Sequence, residues 1–101
     1  MAKIIFTIGA RDDLHQLHEY LAQSSPAYAE RLLDKIIKRV DVLHSFPQSG
    51  RKLPETSGDE SLRELLEGSY RIIYELLPDD RILILKIHHT SRPLSDLRRQ
   101  G

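Results

Sequence analysis

Two apolar runs joined by three polar residues constrain this chain more than any other part of it. Tyr70-Arg71-Ile72-Ile73-Tyr74-Glu75-Leu76-Leu77 and Arg81-Ile82-Leu83-Ile84-Leu85-Lys86-Ile87 flank Pro78-Asp79-Asp80, and the second run closes on His88-His89-Thr90-Ser91-Arg92. β-branched and aromatic residues suit a pleated surface, and Pro with Asp suits a short connection, so the pattern predicts a β-hairpin. Arg71 stands alone among apolar neighbours, and the second strand runs out into two histidines and an arginine. That edge is the first candidate for function.

The preceding residues supply the elements such a hairpin packs against. Lys3 to Ile8 alternates, with Ile4, Phe6 and Ile8 on one face, as a strand buried on at least one side does. Gly9 is expected to break it. Leu14, Leu17 and Leu21, with Tyr20 beside them, then predict an amphipathic helix over Asp12 to Gln23. Ser25 before Pro26 is an N-cap followed by a residue that needs no partner for its missing N–H, which starts a second helix. Leu32, Leu33, Ile36, Ile37, Val40 and Leu43 make its apolar stripe, and the helix ends by Phe46 because Pro47 cannot continue it. The short break between the helices predicts an antiparallel helical hairpin.

Pro47 to Glu60, rich in Pro, Gly, Ser and Thr, is the one long loop. Ser61 to Glu67 fits neither period cleanly. It is read as a strand because Gly68-Ser69 has the Gly-first form of a two-residue hairpin turn. Pro93 stops the last strand, leaving a polar tail over 93–101. The whole is a single domain, residues 1–101, of α+β class and order β-α-α-β-β-β, with the helical hairpin on one face of a small antiparallel sheet. On the last strand Leu83, Leu85 and Ile87 are expected to face the helices. The other face is then partly apolar and uncovered, like a surface that binds a partner.

Composition narrows the function classes. Fifteen Lys plus Arg balance fifteen Asp plus Glu, whereas a protein that binds nucleic acid through its backbone usually carries a basic excess. No cysteine is present, so disulfide and thiolate chemistry are excluded. No apolar run approaches the roughly 18 to 20 residues of a membrane span, and the short run at Ile4 to Ile8 is followed at once by Arg11, Asp12 and Asp13. The expected location is the cytoplasm, without membrane contact.

In order and spacing the chain resembles the RelE/ParE superfamily of bacterial type II toxins, and ParE more than RelE. The matching words are Ser25-Pro26 with Ala29; Leu43, Pro47, Gly50 and Arg51; Leu62-Arg63-Glu64; Tyr70-Arg71-Ile72-Ile73-Tyr74; and the apolar strand ending in His88 and Arg92. The resemblance implies a toxin held inactive by a cognate antitoxin whose C-terminal segment wraps across it, in a hetero-oligomeric complex. It implies one of two targets: DNA gyrase, poisoned by binding, for ParE-like members, or messenger RNA cut in the ribosomal A site for RelE-like members. No cofactor or metal is implied.

Residue matching favours the first target. Arg71 occupies the place of an arginine used by RelE-like ribonucleases, but Leu62 and Glu64 stand where two lysines are expected, and no tyrosine follows Tyr74. A metal-free ribonuclease needs a base, positive charge for the pentavalent phosphate and an acid. Glu64 removes positive charge where it is needed. If the chain is nevertheless a ribonuclease, Arg71, His88, His89 and Arg92 are its candidate catalytic residues, since other members of the superfamily combine a glutamate, an arginine and a histidine. Arg51, Lys52, Arg63, Arg71, His89 and Arg92 are candidate contacts to the target or the antitoxin. A third alternative is a member that has lost toxicity and persists as a binding module.

Each candidate has a plainer role. Arg71 can pair with Glu64 or Glu75 across the sheet, and His88 and His89, being adjacent, point to opposite faces. His15 and His18 lack a third metal ligand. Tyr70 and Tyr74 share a face and suit the core. Gly50-Arg51-Lys52 lacks the glycine spacing of a phosphate loop and is expected to set loop geometry.

Overall fold

A computed structural model describes residues 1–56 and 59–91. It contains β1 (Lys3–Phe6), α1 (Ile8–Ala22), α2 (Pro26–Asp41) continued by a 3₁₀ turn (Val42–His44), β2 (Arg51–Lys52), β3 (Leu62–Glu67), β4 (Tyr70–Leu77) and β5 (Arg81–His89). Two helices lie on one face of a five-stranded sheet of order β1-β5-β4-β3-β2. This is the expected α+β architecture, with the two-residue β2 added to its edge.

The sheet is mixed: β2–β3, β3–β4 and β4–β5 are antiparallel, as expected, but β1 runs parallel to β5. Tight turns make β3, β4 and β5 antiparallel automatically. β1 reaches β5 only through the helices and the rest of the sheet, and a long connection of that kind is what parallel pairing requires.

Two helix starts differ in how they are built. Ser25 Oγ accepts from the Tyr28 N–H at 3.1 Å, and Pro26 opens α2 as expected. α1 begins at Ile8, four residues before the expected Asp12. Thr7 caps it, its Oγ1 accepting from the Ala10 N–H at 3.1 Å while donating to the Ile84 carbonyl at 3.0 Å. Gly9 therefore sits inside the first turn, where backbone N–H groups have no intrahelical partner to lose. The same hydroxyl ties α1 to β5.

The main core lies between helices and sheet. Ala29, Leu32, Ile36, Val40 and Leu43 are buried along α2 and its 3₁₀ turn, whereas Ile37 is exposed, so the stripe is narrower than the sequence suggests. Ala10, Leu32, Ile36, Val40 and Leu43 meet Leu65, Ile72, Tyr74, Ile82, Ile84 and Ile87, and Leu14, Leu17 and Leu21 of α1 pack onto this cluster.

The assignment of faces on β5 is corrected. Ile82 and Ile84 face the helices together with Ile87, while Leu83 and Leu85 join Ile73 on the far side. Ile73 pairs with Lys86 and Tyr74 with Ile84, so Leu85 is an extra residue. One inserted residue reverses the alternation of everything beyond it. The far face is also not uncovered. Leu53, 3% exposed, packs there against Ile73 and Leu85, with Leu62 and Leu83 around it.

The two predicted turns form. Gly68 alone takes a left-handed φ of 57° in the β3–β4 connection, the requirement of a Gly-first turn. Between β4 and β5, Asp79 and Asp80 both take positive φ, 67° and 56°. Asp is among the few non-glycine residues that tolerate this region.

Candidate functional site

The far face of the sheet gathers three of the candidates, Arg51, Arg71 and His88, around Glu64. Glu64 on β3 is directly opposite Arg51 of β2 and diagonal to Arg71 of β4. Such neighbours lie within reach of long side chains. The Glu64 side chain is fully buried, and its carboxylate accepts from Arg51 Nε on one oxygen and Arg71 Nε on the other. Arg71 then turns its outer edge to Glu55, with Nη1 at 2.7 Å from one carboxylate oxygen and Nη2 at 2.8 Å from the other. Nε, Nη1 and Nη2 of Arg71 thus each donate to a carboxylate.

The electrostatic consequence is neutralisation. Two arginines face two glutamates, and the local formal charge is zero. Hydrogen bonding to Arg71 holds the Glu55 carboxyl at about 2, well below the usual range, and the same bond pushes the Arg71 guanidinium further up. Arg71 is 12% exposed, so little of this pair is in contact with solvent from the arginine side.

Beside this network stands an uncharged clasp. The Tyr74 hydroxyl donates to the Pro47 carbonyl and accepts from the Gly50 N–H, each at 2.9 Å. Burial pushes its phenol up, so the hydroxyl stays protonated and able to donate. The Arg63 guanidinium donates to the Gly50 carbonyl at 2.9 Å. A Cβ on Gly50 would stand 2.5 Å from the Tyr74 oxygen and 2.6 Å from the Glu64 carbonyl oxygen. Only glycine admits so close an approach. Gly50-Arg51 therefore sets loop geometry and anchors β2.

The two histidines separate as alternation requires. His88 is opposite Arg71 and shares its face, buried at 7% exposure. His89 is opposite Tyr70 on the helix side, with ring centroids 5.1 Å apart and planes nearly perpendicular. The Ser91 N–H donates to His89 Nδ1 at 3.1 Å, and the Ser91 hydroxyl lies 2.6 Å from the same nitrogen. Arg71 and His88 are brought together, then, and His89 is not with them. Lys52 is exposed on the sheet edge and pairs with Glu60. Arg92 lies outside the described residues.

Three residues have roles here that sequence reasoning did not find. Glu55 is one; only its position in the long loop, with no periodic pattern around it, was visible. Tyr74 was read as core, but its hydroxyl also organises the loop. Asp13 is the third: its carboxylate accepts from the Ile87 N–H at 2.9 Å, along the side of β5 that extends past β1. Burial raises the Asp13 carboxyl, partly offset by that hydrogen bond. Asp13, Leu17, Tyr20, Tyr70, His89 and Ser91 line a cleft of about 580 Å³ between α1 and the end of the sheet. A second hollow of about 570 Å³, with Phe46, Pro47, Leu76 and Ile82 among its walls, lies at the opposite end of β5. Among the described residues no three His, Asp or Glu side chains converge as a metal site requires, and no helix is long and apolar enough to cross a membrane.

Residues 4–94 match the family described as ParE toxin of type II toxin-antitoxin system, parDE. The chain belongs to the ParE toxin family. It is 30% identical over 92 residues to Toxin RelE2 of Caulobacter vibrioides, a match spanning 91% of this chain and 99% of that relative. Its fold is similar to a chain of the chromosomal ParDE system from P. aeruginosa, with a TM-score of 0.70, 24% identity and coverage of 88% of this chain and 96% of that one. It is also similar to a chain of the RelBE2 toxin–antitoxin complex from Mycobacterium tuberculosis, with a TM-score of 0.57, 20% identity and coverage of 87% and 96%. Among the residues that carry the ParE resemblance, Pro47, Gly50, Arg51, Arg63, Glu64, Arg71 and Tyr74 belong to the clasp and the ion network and hold one another across β2, β3 and β4. In this ParE-family chain those words describe scaffold before they describe chemistry.

Proposed function

We propose that this ParE-family toxin inhibits DNA gyrase by binding, with no catalytic step of its own, and that a cognate antitoxin neutralises it in a hetero-oligomeric complex. The observation that carries this reading is the state of Arg71. A ribonuclease site needs positive charge free to meet a pentavalent phosphate, whereas here Glu64 and Glu55 already satisfy the guanidinium. The similar ParDE and RelBE2 structures belong to toxin–antitoxin systems, which supports an antitoxin partner. Arg51, exposed beside the network, and Lys52 on the same edge are contact candidates for antitoxin or target.

Purified toxin is expected to block gyrase supercoiling while leaving ribosome-bound message intact, and its expression without antitoxin is expected to arrest growth. Normal supercoiling in the presence of excess folded toxin would refute the reading. Unimpaired growth with soluble toxin present would favour a non-toxic binding module.

A ribosome-dependent endoribonuclease is the second reading, favoured by one geometric fact and one relative. Arg71 and His88 stand side by side on the face that also holds Glu64, and the 30% identical relative is named a RelE toxin. On this reading A-site cleavage occurs and is lost in Arg71→Ala and in His88→Ala. Cleavage unchanged in both variants removes those roles.

A further inference from the structure

The outer edge of Arg71 meets the Glu55 carboxylate through two nitrogens, one on each oxygen. A bidentate fork of 2.7 and 2.8 Å is the geometry in which guanidinium recognises carboxylate and phosphate alike. The two carboxylates on Arg71 are not equivalent. Glu64 is fully buried, belongs to β3 and holds Nε, so it fixes the arginine in place. Glu55 comes from the long loop, its side chain is 38% exposed, and it takes only the two outward-facing nitrogens. Arg51, 61% exposed, is held by the other oxygen of Glu64, and His88 is the cross-strand neighbour of Arg71.

We infer that Glu55 is an internal stand-in for a phosphate oxyanion: its carboxylate occupies, in cis, an anion site formed by the outer edge of Arg71 beside Arg51 and His88. With Glu55 in place, two arginines are balanced by two glutamates and the outward-facing fork is occupied, so the site has no net charge to attract a further anion. With its charge removed, the same positions carry one net positive charge, and the arginine fork remains held by Glu64. A tetrahedral oxyanion presenting two oxygens then replaces the two lost hydrogen bonds without rebuilding the site. The depressed Glu55 carboxyl agrees with a plug that stays charged at any physiological pH. The inference rests on the geometry at Arg71 and not on the gyrase reading, so it is tested by anion binding in the absence of either target.

The test uses full-length toxin and three proteins: wild type, Glu55→Gln, and Glu55→Gln combined with Arg71→Lys. Each is titrated with inorganic phosphate and with a short single-stranded oligonucleotide, following heat release and, in the two proteins that keep it, the Arg71 side-chain N–H resonance. Glu55→Gln is expected to bind at least about tenfold tighter than wild type, with the Arg71 resonance moving, and the added Arg71→Lys change is expected to abolish the gain because lysine keeps the charge but not the fork. A gain with both ligands marks a site for a single phosphate group; a gain with the oligonucleotide alone marks one that reads a phosphodiester. Equal affinity in wild type and Glu55→Gln overturns the inference, as does a gain that survives Arg71→Lys. Glu55→Ala, which also removes the side chain's remaining hydrogen-bonding atoms, repeats the comparison if the glutamine variant does not fold.

Discussion

The two faces of the sheet are made from the same strands and are closed in different ways. On the helix side, alternate residues of β3, β4 and β5 meet α2 and α1 in a dry cluster that includes Ile36, Leu43, Ile72, Tyr74, Ile82 and Ile84, all essentially without exposure. On the far side three buried residues, Leu53, Ile73 and Leu85, form a much smaller cluster. Beside it a fully buried glutamate is held between two arginines. The first face is stabilised by area removed from water, a non-directional term. The second depends on directional partners, where losing one member leaves the others uncompensated. Stability is concentrated on one face and specific chemistry on the other, which is why the far face is the place to look for function.

That contrast can be broken most directly from the helix side. Ile84→Ala is expected to cost about 4 kcal/mol, the upper part of the range for a buried isoleucine, measured by chemical denaturation. Leu85→Ala on the far face should cost markedly less in the same assay, and equal losses would erase the distinction. Glu64→Ala comes next, at about 3 kcal/mol, because Arg71 then loses its buried partner; an unchanged unfolding midpoint would mean that the network contributes nothing.

The clasp joins the two faces and is expected to respond less. Gly50→Ala should destabilise by about 2 kcal/mol, since the new methyl group overlaps the Tyr74 oxygen and a backbone carbonyl. Tyr74→Phe, which leaves the Gly50 N–H and Pro47 carbonyl without that partner, should cost about 1 kcal/mol. Thermal melting of both variants checks the order.

The smallest effect at neutral pH is that of Glu55, whose pair with Arg71 is partly exposed. Its sign with pH is definite. The folded carboxyl titrates at about 2 against an ordinary 4.5, so its contribution is fully present above pH 4.5 and fades as the pH falls toward 2. Glu55→Gln is expected to flatten the stability profile across that window and, above it, to lower stability by a small constant amount without changing the slope. A slope identical to wild type would show that the pair persists only weakly in solution.

Much of the fold was legible from local signals. The Tyr70–His89 hairpin, the Ser25 cap with Pro26, the Gly68 turn and the end of α2 before Pro47 all rest on preferences spanning a few residues. The start of α1 was misread because Gly9 looks like a break, whereas Thr7 supplies the cap and is held in place by the Ile84 carbonyl of a distant strand. On β5 the expected helix-facing position holds for Ile87 but is inverted over 82–85, because a bulge at Leu85 has no local signature in a run of Ile and Leu. At the candidate site, Arg71, His88, Arg51 and the awkward Glu64 were visible as residues. The Arg71–Glu64 pair was legible as one of two cross-strand options; Arg51 as the second partner of Glu64 was not, and neither was Glu55.

By itself the sequence determined the order of elements, the α+β class and, through the spacing of Pro47, Gly50, Arg51, Glu64, Arg71 and Tyr74, a likeness to ParE that the family match bears out. The order and the class follow from backbone preference and periodicity, which act over one or two turns of chain, whereas the likeness rests on matching residues in matching order. Only the tertiary structure decided that Arg71 is already occupied by two carboxylates, that Leu53 covers the face expected to be bare, and that His88 rather than His89 shares that face. The reason is register: a pairing between residues 16 apart, such as Arg71 and Glu55, exists only after strands have aligned and a loop has folded back over them.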